Sequence, residues 1–319
     1  MRDLVSVIIP AYNAEAYILK AVNSILNQTY KNIEVIITDD CSTDKTYQIL
    51  QSIKDDRIRL YRNENNSGVS FTLNNCIQNS TGSLIAVMHA DDIAYPDRIK
   101  LQAEFLRANK SLGVIGSQCE IIDEEDKLVS LYPVYTDTYE LLLETLLKKI
   151  PFPHPSVMYR REAVVNVDLY NSAYDGMEDH DMWLRLAAAG YKFGNIAEPL
   201  LKYRRHTTQI SQNFSEKDIA KNFSIFYDFV KNLGLIRSYE EVMQFSLICN
   251  NFYLTNSAQE FKFFLQFFSD ILKRYKFLTA SEKQIFKTKF VKKMLKYRSK
   301  RKLKSYIDFY YLLKWLLTK

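Results

Sequence analysis

The sequence predicts an α/β fold with a mostly parallel central sheet, followed by a helical region at the C-terminal end. Three observations lead there. Over about the first ninety residues, short Val/Ile-rich runs alternate with amphipathic stretches, as in parallel strands joined by helical crossovers and covered on both faces. The exits of these runs are polar and rich in carboxylates, and ligands in such sheets bind beyond the carboxyl ends of the strands. Beyond about Asn213, Phe and Tyr recur at three- and four-residue spacing, the mark of buried helix faces.

In order, Val5 to Ile9 reads as the first strand, Glu15 to Gln28 as a helix and Ile33 to Thr38 as the second strand. Lys45 to Lys54 is a helix, Ile58 to Tyr61 the third strand, Ser70 to Gln78 a helix and Leu84 to Met88 the fourth strand. Pro10-Ala11-Tyr12-Asn13 leaves the first strand, Asp39-Asp40 the second and Asp91-Asp92 the fourth, so three polar exits share one rim. From Leu112 the pieces shorten. Val114 to Ile115, Cys119 to Ile122 and Leu128 to Leu131 read as strands, and Thr138 to Lys148 as a helix before the proline-punctuated run Pro151 to Pro155. Asp179 to Ala189 reads as a helix closed by Gly190, and Tyr191 to Tyr203 as extended chain. Phe223, Phe226, Phe229, Phe252, Phe261, Phe264 and Phe268 are expected in a helical core rather than around a cofactor.

With 319 residues, 47% of them hydrophobic, the chain can bury a sizeable core. No apolar stretch reaches the roughly 18 residues that span a bilayer. Arg2 and Asp3 lead directly into the first strand without a secretory-leader pattern, so a cytoplasmic location is expected. Cys41, Cys76, Cys119 and Cys249 lack C-x-x-C spacing, which fits reduced thiols rather than a zinc site or disulfide framework. The net charge of +6 conceals an asymmetry: residues 273–304 carry fourteen Lys/Arg against the single acid Glu282.

The run Val87-Met88-His89-Ala90-Asp91-Asp92 ends an apolar strand in two adjacent carboxylates. It is either a solvated turn before Pro96 or a cation site facing a cleft, because unpaired buried negative charge is costly. Mg²⁺ and Mn²⁺ take one or two carboxylates and leave their other positions to water and substrate phosphates.

Four segments occur in order: Ser6-Val-Ile-Ile-Pro-Ala-Tyr-Asn13, Gln28-Thr-Tyr-Lys-Asn-Ile-Glu-Val-Ile-Ile-Thr-Asp-Asp-Cys-Ser-Thr-Asp44, His89-Ala-Asp-Asp92 and Glu178-Asp-His-Asp-Met-Trp183. Over roughly residues 4–212 they resemble the family 2 inverting glycosyltransferases of bacterial polysaccharide synthesis. The resemblance implies the GT-A fold, with a catalytic domain over residues 1–213; residues 214–319 lie outside it and read from their aromatic spacing and charge as a basic helical region. Within the catalytic domain, residues 1–111 would bind the nucleotide sugar and 112–213 the acceptor. It also implies a nucleotide-diphosphate sugar donor, UDP-linked, a divalent cation (Mn²⁺ or Mg²⁺), and a saccharide or lipid-linked saccharide acceptor.

By the same resemblance Pro10, Ala11 and Tyr12 contact the donor, with the Tyr12 ring available to the base. Asp40 accepts a hydrogen bond from a base N–H, unless it caps the helix that follows. Asn74 and Ala90 border the nucleotide, Asp91 engages ribose and cation, and Asp92 carries most of the cation binding, assisted by Asp91 and His206. His206 is alternatively a loop histidine on a lid, and Arg204 or Arg205 would clamp phosphate. Two positions depart from the family: His89 replaces an acid and is either a hydrogen-bond donor or a core imidazole, and Leu73 stands where the family often has Arg.

Inverting transfer needs a base opposite the leaving group. Asp179 matches the family's base, and Glu178 is the neighbour that would substitute for it or orient it. Acids in a helix's first turn also complement its dipole. Trp183 either floors the acceptor sugar or packs in the core, and His154 to Arg161 resembles the segment leading into the acceptor side. A sugar nucleotidyltransferase would need a Gly-rich phosphate loop with a basic residue, which Pro10 to Ala16 does not supply. A non-catalytic sugar-nucleotide-binding protein would not need Asp91, Asp92 and Asp179 together. Residues 285–319 join the basic block to Tyr306-Ile-Asp-Phe-Tyr-Tyr-Leu-Leu-Lys-Trp-Leu-Leu317. They are expected either to attach peripherally to anionic lipid at the inner face of the cell membrane or to pack as a subdomain with a solvated basic face. No nucleic-acid partner is expected.

Overall fold

The computed structural model describes residues 3–147, 151–206, 216–250, 258–275 and 277–300. Strands β1 (Val5–Ala11), β2 (Ile33–Asp39), β3 (Ile58–Arg62) and β4 (Leu84–Val87) pair in parallel in the order β3-β2-β1-β4. Helices α1 (Ile18–Leu26), α2 (Thr46–Ser52) and α3 (Val69–Gln78) make the crossovers. Every residue of β2 is buried, as an apolar strand covered on both faces requires. Ala11 pairs with Asp39, so the exits of β1 and β2 lie side by side.

The sheet continues through β5 (Ile93–Ala94), β6 (Leu112–Ile122), β7 (Leu128–Leu131), β8 (Met158–Arg160) and β9 (Lys192–Arg204). Helices α4 (Arg98–Ala108), α5 (Thr138–Leu146), α6 (Arg161–Val165) and α7 (Glu178–Ala188) accompany them. β8 enters antiparallel between β4 and β6, β9 lies parallel to β6, and β5 and β7 run against their neighbours in a nine-stranded sheet. β1, β2, β3, β4, β6 and β9 therefore point one way, as the sequence predicts. The two short pieces expected between Val114 and Ile122 form one strand, β6. Gly116 interrupts its apolar pattern because Phe152 packs there: a Cβ on Gly116 would lie 2.7 Å from the Phe152 Cβ. The sequence reading also left α4 and β8 unplaced. Buried Arg98 and Gln102 hide the periodicity of α4, and β8 has only three residues.

Helices α8 (Glu216–Asn232), α9 (Tyr239–Asn250), α10 (Ala258–Arg274) and α11 (Ala280–Lys300) follow. Their core is aromatic, with Phe245 stacked on Phe267 (4.5 Å) and Phe264 (4.8 Å), and Phe268 on Phe290 (4.6 Å). Phe226, Phe229, Phe261, Phe264 and Phe268 are buried as expected, Phe223 is half-buried, and Phe252 lies outside the described residues. One apolar cluster runs from these rings to Phe152, Trp183 and the buried leucines of α5, so the helices are not an appendage. Helix α11 also docks on α5 and β9: Lys289 pairs with Asp137 (3.1 Å) and Glu140 (3.5 Å), and Glu282 with Lys192 (2.5 Å). Among the described residues no helix is long and apolar enough to cross a membrane. The aromatic run Tyr306 to Leu317 lies outside them.

Candidate active site

The first two strand exits are laced together. Asn13, at φ 46°, accepts from the Thr43 N–H (2.9 Å), and its own N–H donates to Ser42 Oγ (3.0 Å). Pro10 is half-buried and Ala11 buried, while Tyr12 is 46% exposed and leaves its ring open at the rim. Asp40 accepts from Asn63 Nδ2 (2.7 Å) and from the N–H groups of Ser67 and Gly68 (both 2.9 Å), so it shapes the loop before α3. It does not cap α2; Asp44 accepts the Thr46 N–H instead (2.9 Å). The acid with an open valence is Asp39, which the sequence reading passed over. Its Oδ2 is held by Arg62 (3.2 Å) and the Ser42 N–H (3.1 Å), and its buried Oδ1 has no hydrogen-bond partner among the described residues. Asn74, expected at the nucleotide, uses both amide atoms on the Tyr170 backbone, accepting its N–H (2.9 Å) and donating to its carbonyl (2.8 Å). Leu73 is core.

Beyond β4 the chain turns through His89, Ala90, Asp91 and Asp92. Ligand atoms of His89, Asp91 and Asp92 all lie within 4.8 Å of one another. Asp91 Oδ2 is 2.9 Å from His206 Nε2, so the structure brings together two residues more than a hundred positions apart. Asp92 accepts the Arg204 N–H at Oδ1 (2.8 Å), while its buried Oδ2 and His89 Nε2 have no partner among the described residues. Burial pushes Asp91 up, but the hydrogen bond from His206 and the nearby His89 outweigh it and hold the carboxyl below its usual value. Burial and then the Asp91 charge raise Asp92 well above the usual range. Burial also lowers His89.

Two arginines, both wholly buried, build the floor of this cluster. Arg98 donates to the Val87 carbonyl (2.6 Å) and contacts Met88 Sδ (3.4 Å); burial brings its guanidinium down to about 10. Arg204 donates to the carbonyls of Asp91 (2.8 Å) and Asp123 (2.7 Å), pairs with Asp126 and lies over the Tyr17 ring (4.5 Å). It is a strut rather than the phosphate clamp the sequence suggested; Arg205 beside it is exposed. Two carboxylates and the His89 imidazole within reach of one another, with Asp92 Oδ2 and His89 Nε2 buried and lacking partners among the described residues, fit a hard to borderline divalent ion such as Mn²⁺ or Mg²⁺.

Helix α7 begins with Glu178 and Asp179. Asp179 is half-buried and its Oδ1 accepts the His180 N–H (2.7 Å). Glu178 is buried; its Oε2 has no hydrogen-bond partner among the described residues, and its Oε1 is 3.8 Å from His154 Nδ1. Burial raises Asp179 to about 6, and burial with the Asp179 charge raises Glu178 to about 8. His154 hydrogen-bonds Tyr170 OH through Nε2 (2.8 Å), and its ring meets the edge of His89 at 5.2 Å. Burial, with His89 beside it, holds His154 well below its ordinary value, so the ring is neutral. His154 thus stands between the His89-Asp91-Asp92 cluster and the acid pair, a place that the segment His154 to Arg161 only hints at. Trp183 is fully buried against Phe152 (5.0 Å), which makes it core and not an acceptor platform.

Residues 6–167 match the model of glycosyl transferase family 2. The chain is 31% identical over 233 residues to the Escherichia coli UDP-Glc:alpha-D-GlcNAc-diphosphoundecaprenol beta-1,3-glucosyltransferase WfaP, covering 73% of this chain and 88% of the relative. It is 29% identical over 258 residues to the Escherichia coli O-antigen biosynthesis glycosyltransferase WbnJ, covering 72% of this chain and 97% of the relative. Among solved structures, Staphylococcus aureus TarS 1-349 in complex with UDP-GlcNAc shares the fold with a TM-score of 0.61 at 16% identity, over 97% of this chain and 92% of that one. These likenesses set aside the nucleotidyltransferase and the non-catalytic readings. The ordered strand exits, the acid clusters beside them and the matched sequence lead to one conclusion: the chain belongs to glycosyl transferase family 2 and is a glycosyltransferase of the GT-A fold.

Proposed function

We propose that the protein transfers a sugar, with inversion at the anomeric carbon, from a UDP-linked donor to a saccharide or lipid-linked saccharide acceptor. The observation that carries this reading is the placement of His154 between His89 and Glu178, which sets donor-side acids and helix-start acids next to each other. Tyr12 offers its exposed ring to the base, above Pro10 and Ala11. The Asp39-Asp40 pair faces the base N–H, Asp39 with an open oxygen and Asp40 with its carboxylate held by the loop. Ala90 and Asp91 border the ribose and diphosphate. A Mn²⁺ or Mg²⁺ ion held by Asp91, with Asp92, His206 and His89 around it, would neutralise charge on the departing diphosphate.

Asp179 takes the proton of the acceptor hydroxyl as that oxygen attacks the anomeric carbon and the bond to the diphosphate breaks. Oδ1 is engaged by the His180 N–H, which leaves Oδ2 for the proton. Glu178, raised to about 8, stays protonated near neutrality and adds no second charge beside the base. The name of WfaP, which describes transfer from UDP-Glc to a lipid-linked sugar, and TarS complexes with UDP-GlcNAc and UDP support the donor and acceptor classes. A peripheral site at the inner membrane face, through residues 285–319, fits a lipid-linked acceptor and the basic block.

The test is a panel of UDP-, GDP- and dTDP-sugars offered with Mn²⁺, measuring binding and nucleotide release. UDP-sugar binding is expected, and no binding of any member would end this reading. For the membrane, co-sedimentation with anionic liposomes should fall when residues 301–319 are removed and Lys296, Arg298 and Lys300 are replaced by Gln, which leaves the buried Phe286 and Phe290 in place; equal binding of both forms would sink that part alone.

A further inference from the structure

We infer that Asp175 is a positioning residue that ties the donor-side loop before α3 to the helix start carrying Asp179. Its carboxylate and its carbonyl are engaged in different directions. Asp175 Oδ1 accepts the Ser70 N–H in the first turn of α3 (2.7 Å). The carboxylate is pressed so closely on Gly68, at φ 88°, that a Cβ there would lie 2.4 Å from Asp175 Oδ2. Gly68 and Ser67 are the residues whose N–H groups hold Asp40. A continuous set of contacts thus runs from Asp40 through the loop to Asp175.

On the other side, Lys221 of α8 donates to the Asp175 carbonyl (2.6 Å), and Tyr174 OH donates to Asp228 of the same helix (2.5 Å). Three residues further on is Glu178, and then Asp179. The short stretch from Tyr174 to Met177 carries Gly176 at φ 83°, a residue without side-chain restraint of its own. Its geometry is set by the Met177 N–H bond to the Tyr174 carbonyl (2.8 Å) together with what grips Asp175 and Tyr174. Helix α8 supplies the fixed end of that grip, which gives the C-terminal region a part in placing the base. A base displaced by about 1 Å loses on the order of a hundredfold in rate, so a two-ended anchor here has a functional consequence.

The inference rests on the reading of Asp179 as the base, and the experiment separates the two. UDP binding with Mn²⁺ is measured by calorimetry, and UDP release from UDP-Glc and UDP-GlcNAc gives KM and kcat, for Asp175→Ala, Asp175→Asn, Lys221→Met and Asp179→Asn. Asp175→Ala should weaken UDP about fivefold and lower kcat about tenfold, because both the loop and the base lose their tie. Asp175→Asn keeps an oxygen for the Ser70 N–H and should recover both to within about twofold. Lys221→Met should lower kcat about threefold with UDP binding unchanged, since it frees only the base side. Equal impairment in Asp175→Asn and Asp175→Ala, or variants that change the melting temperature alone, would overturn the inference. Full turnover by Asp179→Asn would overturn the base assignment itself, whatever Asp175 does.

Discussion

Asp91-Asp92 and Glu178-Asp179 are both pairs of adjacent acids at the end of a secondary-structure element, but their surroundings are opposite. The first pair is built into a cationic frame: Arg98 lies beneath it, Arg204 donates to Asp92 through its backbone N–H, and His206 meets Asp91. In the second pair Glu178 is buried and Asp179 half-buried, with no Lys or Arg ion-paired to either acid among the described residues, and a neutral His154 lies 3.8 Å from Glu178. Charge is thereby sorted. Asp91 is held below its usual value at a position suited to a cation while burial and the Asp91 charge raise Asp92, whereas at the helix start burial raises both Glu178 and Asp179. Similar dipeptides serve different tasks because burial and counter-charge differ.

That contrast can be broken at its strongest point by removing the proposed base. Asp179→Asn should lower transfer by about 10³-fold or more while UDP-sugar binding stays within about twofold, as kcat and calorimetric titration would show. Asp91→Asn should do the reverse at the first pair, weakening Mn²⁺-dependent UDP binding by about tenfold or more, with little left of the metal dependence. If Asp92→Asn weakened it more than Asp91→Asn, the buried acid, not the one facing His206, would be the main ligand.

The pH profile sharpens the comparison further. Asp179 must be ionised to accept a proton, so kcat should rise as pH increases through about 6 and fall below it. Glu178 supplies a stability signature. Its folded value lies above its ordinary 4.5, at about 8, so its contribution is fully present below 4.5 and is lost as pH rises through about 8. Glu178→Gln should therefore gain melting temperature over the wild type between pH 5 and 9, by on the order of 5 °C at the alkaline end. The smallest effect belongs to the docked basic helix: Lys289→Ala should cost about 1 kcal/mol or less in denaturant unfolding, because its contacts with Asp137 and Glu140 are partly solvated.

The parallel half of the sheet was legible because β1, β2 and β4 are mostly apolar runs with polar exits and β3 is a short Ile/Leu/Tyr segment between two helical stretches. The second half was less so. Gly116 splits β6, β8 is too short to show a period, and Arg98 and Gln102 place polar atoms on the buried face of α4. At the proposed site, Asp91, His206 and Asp179 were named through the family resemblance that the ordered segments carry. Asn74 and Arg204 were visible as polar residues in the right segments, but the partners that occupy them, Tyr170 and Asp126, come from distant parts of the chain.

By itself the sequence determined the α/β class, the chemistry of three strand exits in outline and the family, since these follow from local periodicity and ordered short segments. Tertiary structure alone decided how burial and neighbours shift each acid, which arginine is a strut, and that His154 stands between His89 and Glu178. The reason is physical: burial, counter-charge and hydrogen-bond occupancy depend on neighbours brought together by folding, and no local pattern encodes them.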